Sequence, residues 1–314
     1  MERVIVEEQA PPRLLRARWL GRVAYREAWA LQRKLAEARA AGALREDQLL
    51  LLEHDPVLTL GRNALQAHVL APPELLAERG IEVVRVERGG EVTYHGPGQL
   101  VAYPIVALLS PDAPGVPAVG AGAEAVVGVR RPLGVRAYVE ALEAAMADTC
   151  AAAGVVAGPR EGHPGCWVEV AGILPRKVGA LGIRVARGVT YHGIALNVTT
   201  NLADFELIDP CGMPGLWTTS LASERARAGI PGADADAPPD TASVAATAAV
   251  FATALARRLG CVLAGELPPR ASAAGERRAI EALVDELGMP SPALAPPTPA
   301  LAAPAPTLAQ AGAS

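Results

Sequence analysis

Lys177-Val178-Gly179-Ala180-Leu181-Gly182-Ile183-Arg184-Val185 is followed by Ala186-Arg187-Gly188 and then by Val189-Thr190-Tyr191-His192-Gly193-Ile194-Ala195-Leu196-Asn197-Val198. Both runs are apolar and too short of polar periodicity for an amphipathic helix, and the break between them is a turn signal. They predict two strands pairing antiparallel across a tight turn. Consecutive strands without an intervening helix argue against a doubly wound parallel sheet and for an α+β, mixed α/β architecture.

The flanks support that reading. Upstream, residues 48–53, 57–60 and 82–87 read as strands, and 73–78 as a short helix with proline in its first turn. Residues 88–99 form a glycine-rich loop that runs into an apolar strand over 100–106. Residues 166–170 give another strand, after a turn at 162–165. Helices are expected over 21–41, 135–153, 241–259 and 275–288, each with apolar residues recurring on one face. The tetrapeptide Thr-Tyr-His-Gly occurs at 93–96 and again at 190–193. With different flanks, it marks two similar strand-edge sites and not a domain repeat.

The chain has 314 residues, of which 51% are hydrophobic and 20% charged, enough apolar material for a sizeable core. Aromatic residues make up only 4%, so Ala, Val and Leu must carry the packing. The net charge of −4 argues against general nucleic-acid binding. No apolar run approaches the length of a membrane span, and the N-terminus lacks the pattern of a signal peptide. A soluble, cytoplasmic protein is expected. Its four cysteines (Cys150, Cys166, Cys211, Cys261) are scattered, and in a reducing compartment they are thiols. A single catalytic domain is expected over 1–288, with inserted loops near 110–131 and 225–239. The Ala/Pro-rich stretch 289–314 has no apolar periodicity and reads as a disordered tail.

Chemistry concentrates at Asp209-Pro210-Cys211-Gly212-Met213-Pro214-Gly215, a turn that presents a thiol instead of burying it. A thiol attacks as thiolate and needs a positive neighbour or a base. Lys177, at the head of its apolar run, is the candidate partner. The loop Arg88-Gly89-Gly90-Glu91-Val92-Thr93-Tyr94-His95-Gly96-Pro97-Gly98-Gln99 lets a ligand approach its backbone. It lacks the Gly-Lys-Ser/Thr of a phosphate loop, and no helix follows it as in a dinucleotide site.

In this order the three motifs (the loop from Arg88, the run from Lys177 and the Asp209-Pro210-Cys211-Gly212 turn) closely resemble the octanoyltransferase family, the lipoyl(octanoyl) transferases of lipoate synthesis. The resemblance runs from about residue 23 to residue 258 and lapses in the two inserted loops and the tail. It implies a mixed, largely antiparallel sheet flanked by helices, as in the catalytic domain of biotin and lipoate-protein ligases. It implies transfer of an octanoyl or lipoyl group from acyl carrier protein to a lysine of a lipoyl domain, through a thioester on Cys211 with Lys177 as its partner. The implied acceptors are the lipoyl domains of 2-oxoacid dehydrogenases and the glycine cleavage H protein. Implied substrate-binding residues are Arg88, Gly89, Gly90, Glu91, Val92, Thr93, Tyr94, His95, Ala180, Leu181, Gly182, Gly193, Ile194 and Ala195. No cofactor or metal is implied, no nucleic acid or membrane takes part, and the chain is expected to act as a monomer.

Rival readings are an ATP-dependent lipoate-protein ligase and a cysteine-dependent thioester hydrolase using His95 or His192 as base. A metal site built from His54, His95, His192 and Cys211 lacks supporting ligand spacing.

Overall fold

The computed structural model describes residues 12–108, 133–209, 217–230, 234, 240–265, 267 and 278–288. The elements run β1 (Leu14–Val23), α1 (Tyr25–Ala40), β2 (Asp47–His54), β3 (Val57–Leu60), α2 (Pro73–Glu78), β4 (Glu82–Arg85), β5 (Val92–His95) and β6 (Gln99–Ile105). They continue with α3 (Val135–Ala152), β7 (Ala157–Arg160), β8 (His163–Val168), β9 (Arg176–Ala186), β10 (Val189–Asn197), β11 (Trp217–Thr218), α4 (Leu221–Arg227), α5 (Thr241–Arg258), β12 (Val262–Ala264) and α6 (Arg278–Glu286). Short 3₁₀ turns occupy Gln66–His68 and Leu202–Leu207.

The large sheet has the order β12-β1-β2-β6-β10-β9-β8-β7, with β11 pairing β9 off this path. The β12–β1, β1–β2 and β11–β9 pairs are parallel and the others antiparallel, so the sheet is mixed and largely antiparallel. Arg187 and Gly188 both have positive φ, the geometry of a tight two-residue turn, and they deliver β10 antiparallel to β9. The fold class expected from this hairpin is the one found.

Both faces of the large sheet are covered, which is why β2 (Asp47–His54) and β10 are buried along their whole lengths. On one face Leu49, Leu51, Leu100, Ile194 and Leu196 pack with Tyr138, Leu142 and Met146 of α3 and Phe251 and Leu255 of α5. On the other, Leu50, Leu52, Val101 and Ala195 meet Leu31 and Leu35 of α1 and Leu283 of α6. Each such side chain, fully buried, contributes about 1.5–3 kcal/mol. Asp240 caps α5, its Oδ2 accepting from Ser243 N at 3.1 Å. A second sheet, β4-β3-β5, packs with α2 and the Leu202–Leu207 turn through Leu58, Leu76, Tyr94 and Leu207.

Several local expectations are corrected. Residues 21–23 end a strand, β1, and the helix begins only at Tyr25. In β1 the inward residues Leu15 and Ala17 alternate with Arg16 and Arg18, whose charges disguised the period-2 pattern. The glycine-rich loop contains β5, which pairs antiparallel with β3. Residues 163–165, expected in a turn, already belong to β8, and β7 precedes them. Thr190-Tyr191-His192-Gly193 lies on β10 inside the sheet, between β6 and β9, and not at an edge. Val135, the first apolar residue of the expected 135–153 helix, is exposed and takes no part in its buried face. Residues 225–227 end the helix α4. The 110–131 insertion and the 289–314 tail lie outside the described residues. Among the described residues no helix is long and apolar enough to cross a membrane.

Candidate active site

β9 decides where the site forms. Cys166 pairs with Gly179, but the next residue, Trp167, pairs with Lys177, so β9 carries one extra residue, Val178. This is a β-bulge. In a regular strand Lys177 and Gly179 share one face and Ala180 the other. Here Val178 faces the α3–α5 core, and a Cβ added at Gly179 meets Met146 and Leu196 of that same core. The bulge therefore brings Lys177 to the face of Ala180 and Gly182.

That face forms one wall of an open cavity of about 820 Å³, part of it continuous with solvent. The opposite wall comes from the segment 88–95. Lys177 lines the cavity together with Arg88, Gly90, Glu91, Val92, Thr93, His95, Ala180, Leu181, Gly182, Gly193, Ile194 and Ala195. Two of the expected residues do not. Tyr94 follows the alternation of β5 and turns away from Thr93 and His95, its ring 5.6 Å from that of Phe205 in the small-sheet core. Gly89 donates its N–H to Ile183 O at 3.0 Å, so this amide is committed to joining the two walls.

The walls approach closely because of glycines. Gly182 and Gly193 are paired across β9 and β10. A Cβ on Gly182 would lie 2.9 Å from Gly89 O of the opposite wall, and one on Gly193 would collide with Ala102 O of the neighbouring strand β6. Arg88 fixes the other wall: it is buried, and its guanidinium donates to Thr59 O at 2.7 Å and to Thr59 Oγ1 at 2.8 Å.

Sequence reasoning missed Tyr25, Gln99, Tyr103, Asn197 and Thr218, which also line the cavity. Gln99 and Asn197 gave a readable signal, being polar residues at buried strand positions that must find partners. Asn197 Nδ2 donates to Thr219 O at 3.0 Å, and its Oδ1 accepts from Gln99 Nε2 at 2.9 Å. Gln99 Oε1 is then left to accept from His95 Nδ1 at 2.8 Å. This chain assigns the His95 proton to Nδ1 and leaves Nε2 as an acceptor.

The histidines beside the cavity are neutral. Burial lowers His54 to about 4, and it lowers His192 to about 3 with help from the Arg88 charge. His95 is held well below the usual range by burial first and then by His54. His54 is satisfied by Val23 O and the Tyr103 hydroxyl, at 2.8 and 2.7 Å. His192 sits at φ 58°, a strained position for a non-glycine residue, and neither of its ring nitrogens has a hydrogen-bond partner.

Cys211 lies outside the described residues, within the segment 210–216. Both flanks of that segment are fastened. Asp209 N donates to His68 O at 2.8 Å. Beyond it, Trp217 and Thr218 pair in parallel with Arg176 and Lys177, and Thr219 N donates to Lys177 O at 3.0 Å. Arg176 is buried and bidentate to Glu224, at 2.7 and 2.9 Å, and Glu224 also accepts from Thr219 Oγ1 at 2.6 Å. The chain following residue 216 is thus anchored against the Lys177 strand.

A family model described as the lipoyl protein ligase A/B catalytic domain matches residues 24–226. The chain is 48% identical over 206 residues to an octanoyltransferase of Acidobacterium capsulatum, covering 65% of this chain and 78% of that one. It is 43% identical over 214 residues to an octanoyltransferase of Mycolicibacterium gilvum, covering 68% and 77%. Among solved structures it resembles a lipoate-protein ligase A bound with ATP, with a TM-score of 0.55 at 13% identity over 90% of this chain and 98% of that one. It also resembles a bipartite lipoate-protein ligase from Thermoplasma acidophilum, with a TM-score of 0.51 at 13% identity over 88% and 91%. At such identities these structural likenesses speak for the fold alone.

Proposed function

Since this chain belongs to the lipoyl protein ligase A/B catalytic-domain family, we propose that it is an octanoyltransferase acting in protein lipoylation. The donor is octanoyl-acyl carrier protein. The acceptor is a lysine of a lipoyl domain, in a 2-oxoacid dehydrogenase or the glycine cleavage H protein. The observation that carries the reading is Lys177, turned by the Val178 bulge into a cavity wall whose neighbouring strand, β11, follows directly on the Cys211 segment.

In the first half-reaction the Cys211 thiolate attacks the thioester carbonyl carbon. A new C–S bond forms, the bond to the carrier sulfur breaks, and the departing thiolate takes a proton from the Lys177 ammonium. In the second, the acceptor amine attacks the acyl-Cys211 carbonyl. Lys177 takes the amine proton and Cys211 leaves as thiolate. Thioester replaces thioester and amide then replaces thioester, so neither half needs ATP. The positive charge of Lys177 favours the thiolate, and a positioned base contributes typically 10²–10⁴-fold. The acyl chain lies along the face of Ala180, Gly182, Gly193 and Ala195, gaining about 0.8 kcal/mol per buried methylene.

A ligase reading shares this fold, since the similar ligase was solved with ATP bound, but a likeness at 13% identity speaks for the fold alone. Intact mass after incubation with octanoyl-acyl carrier protein and no nucleotide separates the two. An octanoyl adduct mapped to Cys211, and lost in Cys211→Ser, is expected. No adduct without ATP, or one on Cys150, Cys166 or Cys261, overturns the proposal. Cys150 and Cys166 are fully buried and Cys261 half-buried. Release of free octanoate in the absence of acceptor would favour the hydrolase.

A further inference from the structure

Lys177 does not stand alone on its wall. The bulge that turns it into the cavity also sets it directly across the strand pair from Trp167 on β8. Its Nζ lies 5.1 Å from the centre of the Trp167 ring. This is cation–π distance. The indole is fully buried and locked, its Nε1 donating to His163 O at 2.9 Å. Gly165, two residues earlier on β8, clears the path of the lysine stem. At φ 127° it takes a backbone conformation that favours glycine, and a Cβ there would come within 2.8 Å of Lys177 Cε. A bulge, a glycine and a fixed aromatic face thus converge on one ammonium group. A second cation shares the ring: the Arg160 guanidinium, from β7, lies 5.2 Å from its centre.

We propose that Trp167 is the positioning residue of Lys177, holding its ammonium at the cavity wall, and that Arg160 opposes it through the shared ring. The inference rests on the reading of Lys177 as the charge partner and base. The ring quadrupole favours the charged form of Lys177, and so raises the pH at which it loses its proton. The like charge of Arg160 favours the neutral form and lowers that pH. Other titratable or charged groups packed near Lys177 are Glu143 of α3, which accepts from Gly165 N at 2.9 Å, His163 on β8, and Arg176 with its partners Glu169 and Glu224. None of them is altered by the substitutions below, so they enter every profile alike.

The test is the pH profile of octanoyl transfer by the full chain, read as kcat and KM for octanoyl-acyl carrier protein. In Trp167→Leu the high-pH limb moves down by roughly 0.5–1 pH unit, and kcat falls at least several-fold while KM changes little. Trp167→Phe keeps an aromatic face and recovers most of both. Arg160→Gln moves the limb the other way. These opposite signs separate electrostatic positioning from mere packing, which shifts neither limb. If Trp167→Leu does not fold, judged by circular dichroism, Trp167→Phe and Arg160→Gln decide by their opposite, smaller shifts. Unmoved limbs, or limbs moving the same way, overturn the inference. Lys177→Ala keeps the failures distinct. If it leaves rate and limb intact, the reading of Lys177 has failed. If it abolishes activity while the Trp167 and Arg160 variants leave the limb in place, only the role of Trp167 has failed.

Discussion

Lowering the pH from 7 to 5 removes a large part of this protein's stability, and the buried histidines set the size of the loss. His54, His95 and His192 are at most 7% exposed. Their folded-state values lie below the unfolded value of about 6.5, with His54 near 4 and His192 near 3. Between the two values the unfolded chain binds protons that the native state refuses. Stability is therefore fully present above about pH 6.5 and declines as pH falls toward 4 and 3. At pH 5 His54 and His192 have each cost about 1.5 pH units, at about 1.4 kcal/mol per unit. That is about 2 kcal/mol each and about 4 kcal/mol together, with His95 acting in the same direction, against a typical total of about 5–15 kcal/mol. Glu46, Asp148, Glu224 and Glu286 are lowered by their arginine partners, for Glu224 against an upward push from burial, and lose their contribution only at lower pH. Urea unfolding at pH 7, 6 and 5, followed by circular dichroism, measures the loss. His192→Asn removes one titrating ring while tolerating the positive φ, and it should reduce the loss by about 2 kcal/mol. A wild-type loss below about 2 kcal/mol, or an identical loss in His192→Asn, would refute the reasoning by showing that the native state takes up these protons.

Three further outcomes are expected. Ala195→Leu should fill the cavity wall and favour an acyl chain about two carbons shorter, worth about 1.6 kcal/mol or roughly tenfold in relative kcat/KM across a chain-length series, with Cys211 still acylated. Gly193→Ala should instead lower the melting temperature without retuning chain length. Its new Cβ would meet Ala102 O, and overpacking of that kind costs about 1–3 kcal/mol. Lys177→Arg keeps the charge but gives up no proton, so octanoyl transfer should fall about 10²-fold or more, and a near wild-type single-turnover rate would show that charge alone suffices.

The β9–β10 hairpin was legible in the sequence because apolar runs and a tight turn are local signals. α3 and α5 were equally legible from apolar residues recurring on one helical face. β1 was not, since its arginines interrupt an alternation that only the neighbouring strands β2 and β12 complete. β5 was hidden among glycines, and with it the alternation that turns Tyr94 away from the cavity.

What the sequence by itself determined is local: the β9–β10 hairpin, the helices α3 and α5, a lysine at the head of a strand and a glycine-rich wall. Those depend on neighbours a few residues away. Only the tertiary structure decided which face Lys177 takes. A period-2 reading puts it opposite Ala180, and the extra residue that reverses this is visible only in the register of β9 against β8. The same holds for the relay from His95 through Gln99 and Asn197 to Thr219, and for Trp167 beneath the ammonium. Each depends on how strands pair in the folded sheet, and buried polar and charged groups take the partners that folding leaves within reach.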